Sequence, residues 1–219
     1  MNTPTLSPRV AALLERVRHS RGRIIFALDA TASRQPTWDL ACQLQSEMFA
    51  EVAKVGGLEV QLVWYRGYDE CKSSVWMFDA DELARVMRRI TCEAGHTKIE
   101  RVLAHVRAEH DREKVAAVIF VGDACEENPD ILWDAAKTRQ PPWFLFQEGD
   151  DAQAGIAFKT LARVTHGAHC RFNASSAREL AELLRAVAAF AVGGLTALAD
   201  LRSEGARKLL AHLKQGGAR

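Results

Sequence analysis

Two hydrophobic patterns alternate along the chain. Short, almost continuous apolar runs fall at Arg23-Ile-Ile-Phe-Ala-Leu28 and Val115 to Val121, with similar runs around 143–146 and 168–172. Between and after them, apolar residues recur every three or four positions. That spacing predicts helices over about 38–55, 79–90, 98–109, 129–137, 152–165 and 176–192. Two further strands, Leu58 to Arg66 and Ser73 to Phe78, are separated by a six-residue polar link containing Gly67 and Asp69. So short a link allows an antiparallel pair, whereas parallel strands need a crossover of a dozen residues or more. Strands that are apolar throughout must be covered on both faces. The pattern therefore predicts an α/β fold: a doubly wound, mostly parallel six-stranded sheet with one antiparallel edge strand and helices on both faces.

The ends add helices to this frame. Ser7-Pro8 followed by Val10, Leu13, Leu14 and Val17 predicts an amphipathic N-terminal extension over 1–21, closed at Gly22. Beyond the domain proper at 22–192, Leu195, Leu198, Leu201, Leu209, Leu210 and Leu213 predict a C-terminal amphipathic extension over 193–219, interrupted or weakened at Gly205.

Composition narrows the function classes. With 219 residues, 48% of them hydrophobic and 26% charged, the chain has the profile of one globular domain. The net charge of +1 and the scatter of basic residues give no footprint for nucleic acid or an anionic membrane. Five dispersed cysteines without a Cys-x-x-Cys pair point to a reducing compartment. Arg9, Glu15, Arg16 and Arg18 break the first apolar positions, so no signal-peptide core is present, and a cytoplasmic location is expected. The uncharged stretch from Ala186 to Ala199 is shorter than a membrane span requires.

The chemistry lies where strands end. In open α/β sheets, ligands bind beyond the carboxyl ends of the strands, where strand order reverses. Asp29 follows the first strand and Asp123 follows the Val115 to Val121 strand, while Gly95-His96-Thr97 places a hydroxyl at a helix mouth. Asp29, Thr31, Ser33, Thr97 and Asp123 are all oxygen donors, a set favoured by hard cations such as Mg²⁺ or Mn²⁺. In Asp29-x-Thr31-x-Ser33, alternate side chains of a strand-to-helix loop can point to one centre.

Asp29-Ala-Thr31-Ala-Ser33 resembles the Asp-x-Ser-x-Ser motif of the metal-ion-dependent adhesion site in von Willebrand factor A domains, including integrin I domains. Thr97 and Asp123 match that family's threonine and second aspartate, and the order of elements matches over roughly 22–192. One departure is Thr31, which replaces a serine but keeps the hydroxyl. The resemblance implies that Thr31, Ser33 and Thr97 touch the metal, with Asp29 and Asp123 acting directly or through water. It further implies a protein partner offering an Asp or Glu carboxylate, often an AAA+ ATPase or a larger assembly, and no enzymatic activity. In the family, movement of the last helix, here 176–192, is linked to the site.

Other readings compete. Asp29 and Asp123 can be plain helix caps. A structural adaptor would bind through the terminal helices and leave the metal site idle. A haloacid dehalogenase-like hydrolase would use Asp29 as nucleophile, with Gly122-Asp123 and Glu126 or Glu127 as further acids. Such phosphatases need an aspartate two residues later, where this chain has Thr31. His166, His169 and Cys170 lack a zinc spacing. Glu126 and Glu127 either tune the site or form a solvated helix start. Trp38 lines the rim or packs in the core, and His105 and His110 are expected to be solvated. Neither a Gly-x-x-x-x-Gly-Lys-Ser/Thr loop nor a Gly-x-Ser-x-Gly elbow occurs.

Overall fold

A computed structural model describes residues 21–52, 57–66, 70–97, 99–173 and 177–216. Six strands form the sheet: β1 (Gly22–Asp29), β2 (Leu58–Arg66), β3 (Glu70–Met77), β4 (Ala117–Gly122), β5 (Trp143–Glu148) and β6 (Ala168–Phe172). Their spatial order is β3-β2-β1-β4-β5-β6, with β3 antiparallel to β2 at one edge and every other pairing parallel. The helices are α1 (Gln35–Leu44), α2 (Ser46–Val52), α3 (Ala80–Met87), α4 (Ile99–Arg112), α5 (Pro129–Ala136), α6 (Ala152–Val164), α7 (Ala177–Asp200) and α8 (Glu204–Gly216).

The strand alternation sorts the core into two layers. Ile24, Phe26 and Leu28 face one layer with Trp38, Met48, Leu83, Leu183, Val187 and Leu209. Ile25 and Ala27 face the other with Val102, Leu103, Leu132, Phe158 and Leu161. Thus α1, α2, α3, α7 and α8 cover one face and α4, α5 and α6 the other. Parallel strands buried on both sides read as the continuous apolar runs of the sequence for this reason. The sheet order reverses between β1 and β4, which opens a crevice at their carboxyl ends.

Several boundaries differ from expectation. The first helix starts earlier, at Gln35, because Pro36 suits a first helical turn, and it is stepped at Gln45. Buried Gln45 donates its side-chain amide to Ala80 O at 3.0 Å, an anchor that periodicity does not reveal. The last expected domain helix runs on to Asp200 through a kink at Gly194, where φ is 64°. The C-terminal interruption falls at 201–203, not at Gly205. Arg202 there has φ 51°, and the Ser203 hydroxyl accepts from the Ala206 N–H at 3.1 Å to start α8. Gly205 is instead a close approach: a Cβ there would lie 2.6 Å from Glu182 O. The α8 helix packs on β6 and α7, burying Ala206 and Leu209 together with Leu198. By length and composition α7 could cross a membrane, yet Leu180, Leu183, Leu184 and Val187 are fully buried in the protein core. The expected N-terminal helix over 1–21 lies outside the described residues apart from Arg21.

Candidate metal centre

The loop after β1 turns sharply because Asp29 accepts the Thr31 backbone N–H at 2.7 Å on Oδ1, closing an Asx turn. A single turn of 3₁₀ helix over Ala32–Arg34 follows. This geometry brings the Thr31 and Ser33 hydroxyls to 3.5 Å of each other, on the same side of the loop as the Asp29 carboxylate. Opposite them, Thr97 lies at the mouth of α4 and Asp123 follows β4. All five residues expected from the sequence line one open cleft of ≈ 300 Å³, with Ala32, Ala94, Gly95, Ala124 and Glu126 completing its wall. Asp29, Thr31 and Thr97 are buried at its floor, while Ser33 is exposed.

The electrostatics of the floor are those of a carboxylate short of positive charge. Burial pushes the Asp29 carboxyl up to about 6, and Asp123 adds like-charge repulsion. The Thr31 N–H and hydroxyl, with Arg34, act in the opposite direction without cancelling the shift. A cation bound at the floor would relieve both the desolvation and the repulsion, so the donor set fits a hard divalent ion. Two carboxylates and three hydroxyls form that set. Among the described residues, no group of three or more His, Cys, Asp or Glu is gathered for a metal.

Several functional neighbours were not legible in the sequence. Arg34 is 5% exposed, with Nη1 at 3.2 Å from Asp123 Oδ2 and Nη2 against Glu148. The Thr37 hydroxyl also donates to Glu148, so the loop after β1 is tied to the ends of β4 and β5. Pairing between an arginine in a loop and carboxylates on two later strands leaves no local signature. Glu126 and Glu127, expected either to tune the site or to form a solvated helix start, both reach across to the α4 end of the cleft, Glu126 while remaining exposed. Glu126 Oε2 accepts the Thr97 N–H at 3.1 Å, and Glu127 accepts the N–H groups of Ile99 and Glu100, capping α4. Tyr65, paired in register with Asp29, is fully buried, and its hydroxyl has no hydrogen-bond partner among the described residues.

The remaining expectations resolve plainly. Trp38 is a core residue, 2% exposed, with its indole N–H donating to Met87 O at 3.2 Å. His105 is half-buried against Gln61 at 2.8 Å, and His110 Nδ1 accepts the Val115 N–H, so neither is simply solvated. His169 is buried on β6 and bonded to Gln147, while Cys170 next to it faces the opposite core layer.

No protein-family profile matches the sequence, and no curated protein matches it. Solved structures do match. A von Willebrand factor type A protein from Catenulispora acidiphila superposes with TM-score 0.63 at 15% identity, covering 79% of this chain and 43% of that one. The von Willebrand factor domain of a type V pilus tip protein from Porphyromonas gingivalis gives 0.58 at 10% identity, covering 76% and 93%. Proximal thread matrix protein 1 of the mussel byssus, solved with a zinc-occupied MIDAS motif, gives 0.56 at 16% identity, covering 77% and 45%. The chain spans less than half the length of the first and third of these proteins. It has the von Willebrand factor A fold.

Proposed function

We propose that the protein is a metal-dependent interaction module, not an enzyme, which grips an acidic side chain of a protein partner through a divalent cation in the cleft. The observation that carries this reading is the convergence of Asp29, Thr31, Ser33, Thr97 and Asp123 on one open cleft, at the crevice where the sheet order reverses. Thr31, Ser33 and Thr97 would hold Mg²⁺ or Mn²⁺ by their hydroxyls, with Asp29 and Asp123 supplying negative charge directly or through water. When bound, the ion supplies an electrophilic centre that neutral hydroxyls leave largely unquenched. The small side chains of Ala32, Ala94 and Ala124 leave room for a partner's carboxylate to approach. Support from outside the chain comes from the mussel protein, whose motif of this kind accepts zinc. An AAA+ ATPase or another large assembly in a reducing, cytoplasmic setting fits as the partner class. The dispersed spacing of the five cysteines suits that setting.

Two features weigh against the other readings. Leu198, Ala206 and Leu209 are used up in the core, which leaves an adaptor acting through the C-terminal helices less surface. A hydrolase using Asp29 would need an acid at the position of Thr31, whose hydroxyl instead faces Ser33. The test is calorimetric titration of Mg²⁺ and Mn²⁺ into the wild type and into Asp29→Ala with Ser33→Ala. One saturable site, lost in the double variant, is expected. A wild type that binds neither ion would sink the metal mechanism.

A further inference from the structure

Arg34 places a fixed positive charge beside the cleft that the family motif does not call for. Its guanidinium is almost completely buried, and its charge persists there because arginine does not give up its proton in proteins. One nitrogen faces Asp123 Oδ2 at 3.2 Å and another faces Glu148, which Thr37 also holds. The charge is therefore shared between a carboxylate of the cleft and one behind it. We infer that Arg34 is a resident counter-cation which competes with the divalent ion for Asp123, so that the Arg34–Glu148 pair sets the metal affinity of the cleft. This rests on the reading of the cleft as a metal site.

The physical case is a balance of charge. Asp29 and Asp123 are the formal negative charges among the five donors, and one oxygen of Asp123 is already committed to Arg34. A bound cation would meet a half-neutralised Asp123 and a nearby like charge in a cleft that is only partly open to water, where charges a few ångströms apart are incompletely screened. Glu148 moderates this by drawing the guanidinium towards β5. Removing Arg34 frees Asp123 for the metal, while removing the charge of Glu148 throws the whole guanidinium onto Asp123. Arg34 is thus a positioning residue with an unusual signature. The same contacts stabilise the metal-free fold, since the guanidinium lies between two partly exposed carboxylates that would otherwise repel. Stability and metal affinity should move in opposite directions when Arg34 is neutralised. A purely structural arginine would lower both.

The experiment compares the full chain as wild type, Arg34→Gln and Glu148→Gln. Each is melted in chelator by circular dichroism and then titrated calorimetrically with Mg²⁺. Arg34→Gln is expected to melt lower yet bind Mg²⁺ on the order of tenfold more tightly. Glu148→Gln is expected to bind it several-fold more weakly. Equal affinity in all three, or weaker binding by Arg34→Gln, overturns the role of Arg34 and leaves the metal site standing. No binding by any of the three overturns the metal site and this inference with it. Should Arg34→Gln fail to fold, Glu148→Gln decides alone: weaker binding supports the inference, and unchanged or tighter binding overturns it.

Discussion

Thr97 and Glu126 exchange two hydrogen bonds across the cleft wall. The Thr97 N–H donates to Glu126 Oε2, and the Glu126 N–H donates to the Thr97 hydroxyl oxygen, each at 3.1 Å. This is the reciprocal logic of a capping box, formed between two loops 29 residues apart and not within one helix turn. It fixes the Thr97 hydroxyl towards the cleft before any ligand arrives.

Preorganisation of that kind is measurable. Glu126→Ala should weaken Mg²⁺ binding several-fold while leaving all five proposed ligands in place, and should cost about 1 kcal/mol of stability. Thr97→Ser should keep both properties near wild type, since it keeps the hydroxyl. Thr97→Val should lose metal binding. Calorimetry with urea unfolding of the three variants checks this, and undiminished binding by Thr97→Val would remove Thr97 from the site.

Tyr65 offers a test of opposite sign. Its buried hydroxyl has no partner among the described residues, and burial raises its pKa well above the ordinary tyrosine value. Deleting a buried, unsatisfied hydroxyl is neutral or favourable. Tyr65→Phe should therefore raise the urea midpoint, by about 1 kcal/mol of stability. A loss of more than that would mean that the hydroxyl has a partner in solution.

His169 should govern part of the acid sensitivity. Burial, then the positive charges of Lys159, His212 and Arg171, lower its pKa to about 4 from 6.5. The unfolded chain accepts the proton first, so stability is intact above about pH 6.5 and is lost as pH falls towards 4. The full loss is about 3 kcal/mol on this group alone. His169→Gln can still donate to Gln147, and it should flatten the stability–pH profile across that window. A profile identical to wild type would assign the acid sensitivity elsewhere.

Two substitutions probe how α8 belongs to the fold. Gly205→Ala would drive a methyl group to within 2.6 Å of Glu182 O, and should cost about 1–3 kcal/mol by overpacking. Leu209→Ala removes a fully buried side chain and should cost about 2–5 kcal/mol. Both should leave Mg²⁺ affinity unchanged, because none of Gly205, Glu182 and Leu209 lines the cleft. Denaturant unfolding alongside metal titration checks both. Wild-type stability in Leu209→Ala would show that α8 is an appendage.

What the sequence determined follows from local periodicity and local chemistry. Continuous apolar runs named the buried strands, the short polar link named the antiparallel edge pair, and Asp29-x-Thr31-x-Ser33 declared a loop of oxygen donors. These signals lie within a few residues of one another, where backbone geometry alone relates side chains. Thr97 and Asp123 were legible from their places at a helix mouth and a strand end together with the family pattern, since nothing local ties them to Asp29. Tertiary structure alone decided the rest. It set Arg34 between Asp123 and Glu148, gave Glu126 and Glu127 to the N–H groups around α4, buried the Tyr65 hydroxyl with no hydrogen-bond partner among the described residues, and turned Gly205 from a break into a contact. The contacts around the cleft depend on which strand ends become neighbours once the sheet order reverses, and the Gly205 contact depends on α8 packing back against α7. That adjacency comes from packing two helical layers on one sheet, and no short stretch of sequence carries it.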